Sequence, residues 1–123
     1  MKKELQESLF KKYPKIFEQR HLPNTESAMC YGIQCPDEWY DLIDVLCACI
    51  QKHIAIKNTE TNREIKKFKG SLYPRSFHRT VCQAIQVKIK FNMLRFYTTG
   101  GDDYISGLIA MAENMSTKII KEK

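Results

Sequence analysis

Residues 84–99 alternate between apolar and polar side chains, and this alternation constrains the fold more than any other feature of the sequence. Apolar residues recur at every second position from Ile85 to Phe91 and again from Leu94 onward. Alternation with a period of two predicts two strands that each bury one face, joined here by a two-residue turn at Asn92–Met93. A lone hairpin is marginally stable in water, so a third strand or a second subunit is expected to complete the sheet.

The opposite face of the predicted hairpin concentrates positive charge. With the turn at 92–93, Lys90 lies opposite Arg95, and Lys88 lies opposite Tyr97. Like charges directly opposite each other destabilise a sheet by up to about 1 kcal/mol. Acidic residues of the same protein, or an anion from outside, would relieve this repulsion. A solvated lysine face that protects a sheet edge is the third interpretation.

Apolar residues at helical spacing predict three helices around the hairpin. The first covers residues 3–12 and ends before Pro14, which removes a backbone donor. The second runs from Pro36 to about Ile54, because proline suits the first helical position and acidic residues follow it. The third begins at Asp102, whose side chain we interpret as a helix cap rather than as half of a catalytic carboxylate pair.

The second helix is predicted to carry one apolar and one mainly acidic face, at 100° per residue. The predicted apolar face comprises Trp39, Leu42, Ile43, Leu46, Cys49, Ile50 and His53. The predicted polar face comprises Asp37, Asp41, Asp44 and Lys52. A histidine on an apolar helix face is more often a hydrogen-bonded core residue than a ligand, and we interpret His53 in that way.

Together these elements predict an α+β fold in which two or three helices cover one face of a small antiparallel β-hairpin or sheet. The chain has 123 residues, of which 43% are apolar and 28% charged. This composition supplies a hydrophobic core and excludes wholesale disorder. A single globular domain over residues 1–123 is therefore expected.

Most of the excess positive charge falls in the segment Arg63–Arg79, which follows a predicted polar loop at 58–62. The net charge of the chain is +6. The bases of the segment are Arg63, Lys66, Lys67, Lys69, Arg75 and Arg79, against Glu64 alone. The aromatic rings among them are Phe68, Tyr73, Phe77 and His78. Cations interleaved with rings suit a nucleotide or single-stranded nucleic acid, whereas the alternative is a solvated loop whose rings pack into the core. The pattern leaves open whether the segment is a loop or contains a short strand.

The sequence offers little for catalysis or metal binding. Its cysteines are Cys30, Cys35, Cys47, Cys49 and Cys82. An odd count without a secretory signal argues against a disulfide framework, and only Cys30 and Cys35 are spaced as a pair of zinc ligands. No phosphate-cradling glycine loop, nucleophile elbow or metal-binding histidine pair is present. We therefore expect a non-catalytic protein with no cofactor and no metal.

No segment resembles a membrane span, which predicts a cytoplasmic location and no membrane partner.

Three segments of the chain carry a family resemblance. They read Lys12-Tyr13-Pro14-Lys15-Ile16-Phe17, Cys35-Pro36-Asp37-Glu38-Trp39-Tyr40, and Val87-Lys88-Ile89-Lys90-Phe91 continued by Leu94-Arg95-Phe96-Tyr97. These segments resemble the K-Y-P start, the C-x-D-x-W-Y helix entry and the V-K-x-K-F-x-x-L-R-F-Y hairpin of an uncharacterised family of small phage and prophage proteins. Ile89 and Asn92 stand where that family usually has an acid and a glycine. The apolar Ile89 favours a hairpin with one buried face and weakens any role for a catalytic acid there.

The resemblance implies a phage accessory protein, and such proteins often antagonise bacterial defence. We therefore predict a non-catalytic anti-defence protein of the host bacterial cytoplasm. It would sequester an anionic nucleotide immune signal of the cyclic-nucleotide or ADP-ribose type. Lys88, Lys90 and Arg95 would contact phosphate, and Tyr97 would stack on a base. The segment Arg63–Arg79 would close over the ligand.

Two other classes of function stay open at this point. The first is a protein–protein inhibitor of a bacterial defence nuclease, which would use its basic face or its acidic helix face. The second is a weak, non-specific binder of single-stranded nucleic acid. A homo-oligomer would suit capture of a small ligand, because a pocket is readily built between copies of a small domain.

Overall fold

The computed structural model of the chain describes residues 1–67 and 79–119, and that part contains three α-helices and three strands. The elements are, in chain order, α1 (Lys3–Lys12), β1 (Ile33–Gln34), α2 (Tyr40–Lys67), β2 (Cys82–Lys90), β3 (Met93–Gly100) and α3 (Asp103–Ser116). Short 3-10 turns lie at Glu18–His21, Ala28–Tyr31 and Asp37–Trp39. The predicted α+β fold class is confirmed, and the first helix has the predicted bounds.

The three strands form one mixed sheet in the order β1-β2-β3, with β1 parallel to β2 and β2 antiparallel to β3. The two residues of β1 therefore supply the third strand that the hairpin was expected to need. The core lies between the sheet and the helices. Its fully buried side chains include Leu9, Phe17, Ile33, Ile43, Ile50, Val87, Leu94 and Ile105. Edge-to-face contacts from Phe10 to Phe17 and from Phe17 to Phe96 link α1 to β3.

The hairpin turn lies one residue earlier than predicted, at Phe91–Asn92, where both residues have positive φ (53° and 60°). Lys88 is therefore directly opposite Arg95. The predicted pairing of Lys90 with Arg95, and of Lys88 with Tyr97, is wrong. Moving a two-residue turn by one position changes every cross-strand partner by two positions, so each of these side chains still lies on the predicted face.

Three apolar residues predicted on the buried face of the hairpin are not buried there, and one of them, Ile89, is 39% exposed near the turn. Phe91 is 85% exposed because it forms part of the turn. Ile85 lies at an irregularity in the ladder, a β-bulge between Ala84 and Gln86, and is half-buried. A bulge shifts the alternation of side chains by one position, so Ala84 and Cys82 take the inward places instead.

Helix α2 continues well beyond the predicted end at Ile54, so residues 58–62 are helical and the predicted polar loop is wrong. Side-chain hydrogen bonds to residues outside the helix help to anchor this polar part of α2. The amide of Asn58 accepts from the Thr80 N–H over 2.7 Å and donates to the Thr80 carbonyl over 3.2 Å. These bonds hold the approach to β2 against α2.

The buried face of α2 is rotated toward α1 relative to the prediction. Cys49, predicted on the apolar face, is exposed, whereas Cys47 is buried. Asp44, predicted on the solvent face, is half-buried and accepts hydrogen bonds from Tyr13 Oη at 2.5 Å and Lys12 Nζ at 3.2 Å. Burial, followed by the contact with Asp44, raises the pKa of the Tyr13 phenol. The pairing between α1 and α2 therefore sets which side of α2 enters the core.

Helix α3 lies along the free edge of β3. The Leu94 N–H donates to Ser116 Oγ over 2.9 Å, and the Phe96 N–H donates to Glu113 Oε2 over 3.0 Å. These two amides point away from β2, where a further strand would otherwise pair. Side chains of α3 thus satisfy two of the outward-facing donors of β3.

Candidate anion-binding site

The polar face of the sheet brings four predicted ligand residues together. Lys88 and Arg95 form a directly opposed, hydrogen-bonded pair, for which the Cα atoms are typically about 5.5 Å apart. Lys90 and Tyr97 flank this pair on the same face, since each lies two positions from one of its members. Lys88 and Arg95 are half-buried, and Lys90 is exposed. We call Lys88, Lys90 and Arg95 the sheet cations, and Tyr97 is the aromatic residue beside them.

The sheet cations have no carboxylate partner within 4.0 Å among the described residues. Two of the acidic residues before and within α2, Asp37 and Asp44, are engaged elsewhere. Asp37 accepts from the Lys2 backbone N–H over 2.7 Å, and Asp44 pairs with Lys12 over 3.2 Å. The acidic helix face therefore does not relieve the repulsion across the hairpin.

The basic segment lies apart from the sheet cations. Arg63, Lys66 and Lys67 occupy the last turns of α2. Arg79 donates to Oδ1 of the Asn62 side chain over 2.7 Å, before β2 begins. Lys88 lies six residues into β2, about 20 Å from its start at the usual rise of a strand. The described part of the segment is therefore not gathered around the sheet cations.

The remaining residues of the predicted basic segment cannot be placed on this fold. Lys69, Arg75 and the rings Phe68, Tyr73, Phe77 and His78 lie outside the described residues. The prediction that the segment closes over a ligand stays a prediction.

A groove of about 570 Å³ between α1 and the 3-10 turns collects a second set of cations that sequence reasoning missed. Its basic and aromatic lining residues are Lys3, Lys11, Arg20, His21, Phe10 and Tyr31, and Glu7 contributes a carboxylate. We call it the N-terminal groove. Lys3, Lys11 and Arg20 make no ion pair within 4.0 Å in the described part of the chain.

Arg20 is held in place at this groove by two contacts. Its Nη1 donates to the Phe17 carbonyl over 2.9 Å, and its guanidinium lies 5.0 Å from the centre of the Phe10 ring. The contact with the ring is a cation–π interaction. A guanidinium has five N–H donors, so most of them are left for a ligand. Arg20 is therefore a positioned cation rather than a freely moving one.

The groove arises where a helix face meets an irregular segment. Lys3, Glu7 and Lys11 recur every four residues along α1 and so share one face. Gly32 has φ +77°, and its missing side chain leaves room for Gln6, whose Oε1 accepts from the Ile33 N–H over 2.8 Å. This bond ties α1 to β1, and Gln6 and Gly32 both line the groove. The spacing of the charged residues in α1 could have predicted their shared face. No local sequence pattern indicated that Arg20 would lie beside that face.

His53 and Asp102 form the main polar contact between α2 and the start of α3. His53 Nε2 lies 2.7 Å from Asp102 Oδ2, and the His53 ring stacks on the Tyr104 ring at 4.2 Å. Asp102 Oδ1 also accepts from the Ile105 N–H over 3.0 Å, which confirms the predicted cap. The contact with His53, followed by the cap, lowers the pKa of the Asp102 carboxyl. The histidine is hydrogen-bonded, as predicted.

The thiols nearest the core are poorly suited to nucleophilic chemistry. All five cysteines are free, and Cys35, Cys47 and Cys82 are buried. Burial raises the pKa of the Cys35 thiol to about 12 and that of Cys47 well above its ordinary value. A thiol that stays protonated at neutral pH is a weak nucleophile and a weak metal ligand. Within residues 1–67 and 79–119, no three His, Cys, Asp or Glu side chains are grouped so that they could hold a metal ion.

Comparison with known proteins adds no further constraint. No family model matches the chain, and no curated protein or solved structure matches it. None of the helices in the described part of the chain is long and apolar enough to cross a bilayer. Function is therefore inferred from the geometry of the sites.

Proposed function

We propose that this protein binds an anionic, nucleotide-type ligand without transforming it, and that the N-terminal groove holds that ligand. The observation that carries the proposal is the fixed guanidinium of Arg20, which lines the same concave groove as Lys3 and Lys11. Arginine and lysine are the side chains that best recognise phosphate, by paired hydrogen bonds and by point charge respectively.

The size and lining of the groove suit a nucleotide. Its volume of about 570 Å³ falls within the range of roughly 300–1,000 Å³ that is usual for small-molecule sites. The Tyr31 ring is 58% exposed, and its hydroxyl is held by the Asn24 side-chain amide over 3.2 Å. A flat, oriented ring beside cations offers stacking to a base while the cations bind its phosphates.

Sequestration follows if binding is not coupled to a reaction. The buried thiols are protonated at neutral pH, and the His53–Asp102 pair is engaged in capping α3. Together with the family resemblance, this supports capture of a cyclic-nucleotide or ADP-ribose type immune signal in the host cytoplasm by a phage-encoded anti-defence protein. The protein would act by lowering the free concentration of the signal.

Calorimetric titration with cyclic dinucleotides, cyclic trinucleotides and ADP-ribose tests this proposal. The double variant Lys3→Gln/Lys11→Gln is expected to weaken binding about tenfold or more, since two charged contacts are lost. Lys15→Gln/Lys118→Gln is the matched control, because it removes the same charge from exposed positions outside the groove. Equal binding by the two double variants would show that the ligand lies elsewhere.

A second candidate function rests on the sheet cations. An open face with the Lys88–Arg95 pair and the 40% exposed Tyr97 ring suits an extended anion, such as single-stranded nucleic acid, more than a compact ligand. Oligonucleotide binding that falls steeply with salt, and that Lys88→Gln/Arg95→Gln weakens, would favour this function. If neither nucleotides nor oligonucleotides bind, both proposals fail, and inhibition of a defence protein becomes the surviving hypothesis.

A further inference from the structure

An apolar groove runs between α2 and α3, and it shares no lining residue with the N-terminal groove. The two helices are antiparallel, since His53 contacts Tyr104 at one end while Trp39 Nε1 donates to the Ile119 carbonyl over 3.1 Å at the other. The groove has a volume of about 270 Å³, and apart from Asp41 its lining is Leu42, Val45, Leu46, Cys49, Leu108, Met111, Ala112, Met115 and Ile119.

Large apolar side chains stand exposed along this groove. Val45 and Met111 are each 61% exposed, and Met115 is 46% exposed. Single exposed apolar residues are ordinary, but a contiguous patch along two helices marks an interaction surface. Methionine in particular adapts its shape to a partner. This face therefore has the composition of an interface.

The exposed stripe of α2 beside the groove is self-complementary in charge. Asp41, Val45, Ala48 and Lys52 are all exposed and lie within about 60° of one another around the helix axis, at 100° per residue. The acid stands at one end and the base at the other, with the two apolar residues between them. Neither Asp41 nor Lys52 makes an ion pair within 4.0 Å in the described ranges.

We propose that the occupant of this face is a second copy of the chain, packed about a two-fold axis that passes between Val45 and Ala48. In that arrangement the two α2 helices run antiparallel, and Asp41 meets Lys52 of the partner subunit at both ends. Val45 meets Ala48 of the partner subunit at the centre. The methionines of α3 pack over the same seam, which makes a bundle of four helices.

The pattern favours a second copy over an unrelated amphipathic helix. A groove that receives a foreign helix needs only an apolar floor. In a two-fold interface each contacting pair of residues occurs twice, once on each side of the axis. Opposite charges placed symmetrically about an apolar centre on one helix suit such an interface. The proposed interface contains neither the sheet cations nor a residue that lines the N-terminal groove, so variants can test ligand binding and self-association separately.

Sedimentation velocity over a range of concentrations tests the proposal on the full chain. The expected mass is twice the 14.4 kDa of the monomer. Asp41→Lys and Lys52→Asp, made singly, are each expected to raise the dimer dissociation constant about tenfold or more, because repulsion replaces two ion pairs. Asp41→Lys/Lys52→Asp restores opposite charges and is expected to recover most of the wild-type affinity.

Two further variants complete the design. Met111→Glu puts a charge into the apolar seam and should give a monomer with an unchanged circular dichroism spectrum. Lys15→Asp, which makes the same charge change as Lys52→Asp at an exposed position off the face, should leave the dimer intact. A wild-type protein that is monomeric at every concentration overturns the proposal. A dimer that is indifferent to Met111→Glu, or that the double swap does not rescue, overturns the assignment of this face and axis.

Discussion

His53 Nε2 lies 2.7 Å from Asp102 Oδ2, while the other carboxylate oxygen of Asp102 accepts from the Ile105 N–H over 3.0 Å. One carboxylate therefore fastens α2 to the start of α3 and caps α3 at the same time. Both contacts favour the ionised form of Asp102, and both lower its pKa. The stability of the protein is consequently linked to the charge of this group.

The contribution of Asp102 to stability is expected to disappear in acid. Because its pKa is lowered in the folded protein, the stabilisation is complete above the ordinary value of 3.8 and is lost as the pH falls through the lowered value. Asp102→Asn keeps a capping side chain but loses the charge, so the unfolding free energy should depend less on pH below 3.8. Asp102→Ala also loses the cap and should cost about 1 kcal/mol more at pH 7. Urea titrations at several pH values measure both effects. If the unfolding free energy of Asp102→Asn falls in acid as steeply as that of the wild type, the linkage is contradicted.

Gly32→Ala is expected to destabilise the fold by about 1–3 kcal/mol, because φ +77° is strained for a residue with a Cβ atom. The added methyl group would also collide with the Gln6 side-chain carbonyl. A double-mutant cycle with Gln6→Ala separates the two causes by urea denaturation. If the collision matters, Gly32→Ala costs less in the Gln6→Ala background; equal costs would assign the whole effect to the backbone.

Ser116→Ala is expected to cost about 1–3 kcal/mol of unfolding free energy, since it leaves the buried Leu94 N–H without an acceptor. Ser106, an exposed serine on the same helix, provides the control. Ser106→Ala should change the unfolding free energy by less than about 0.5 kcal/mol. Similar losses in the two variants would contradict the role of Ser116 at the sheet edge.

Phe91→Asn is expected to stabilise the hairpin by about 0.5–1 kcal/mol, because asparagine tolerates the left-handed conformation better than phenylalanine does. The 85% exposed ring loses little burial when it is replaced. Its contact with Lys90, whose Nζ lies 5.6 Å from the ring centre, reduces the gain. Thermal unfolding of Phe91→Asn and of Phe91→Leu separates the backbone preference from the ring contact. A melting temperature that falls in Phe91→Asn would contradict the backbone explanation.

The elements with strong periodicity were predictable from sequence, and those set by distant contacts were not. The bounds of α1, the two strands and the cap at Asp102 follow from local spacing and chemistry. The position of the turn does not, because Phe91 is an unfavourable turn residue and the register is fixed by the bonds from Ser116 and Glu113. The two-residue strand β1 has no local signal, since it forms by parallel pairing with β2.

The candidate sites show the same division. Alternation placed Lys88, Lys90, Arg95 and Tyr97 on one face, although with different partners across the strands. The N-terminal groove could not be predicted from the sequence, because Arg20 belongs to a stretch without a clear hydrophobic period and contacts α1 only in the folded protein. The extension of α2 places Arg63 in the last turns of this 28-residue helix rather than in a loop after it.

The contact between α3 and the edge of β3 has a consequence for behaviour at high concentration. At high concentration, proteins with a bare strand edge are prone to pair edge to edge and polymerise. Here the outward amides of Leu94 and Phe96 are occupied by side chains of their own chain. Strand addition at this edge therefore requires α3 to detach first, which gives the molecule a built-in barrier against fibril growth.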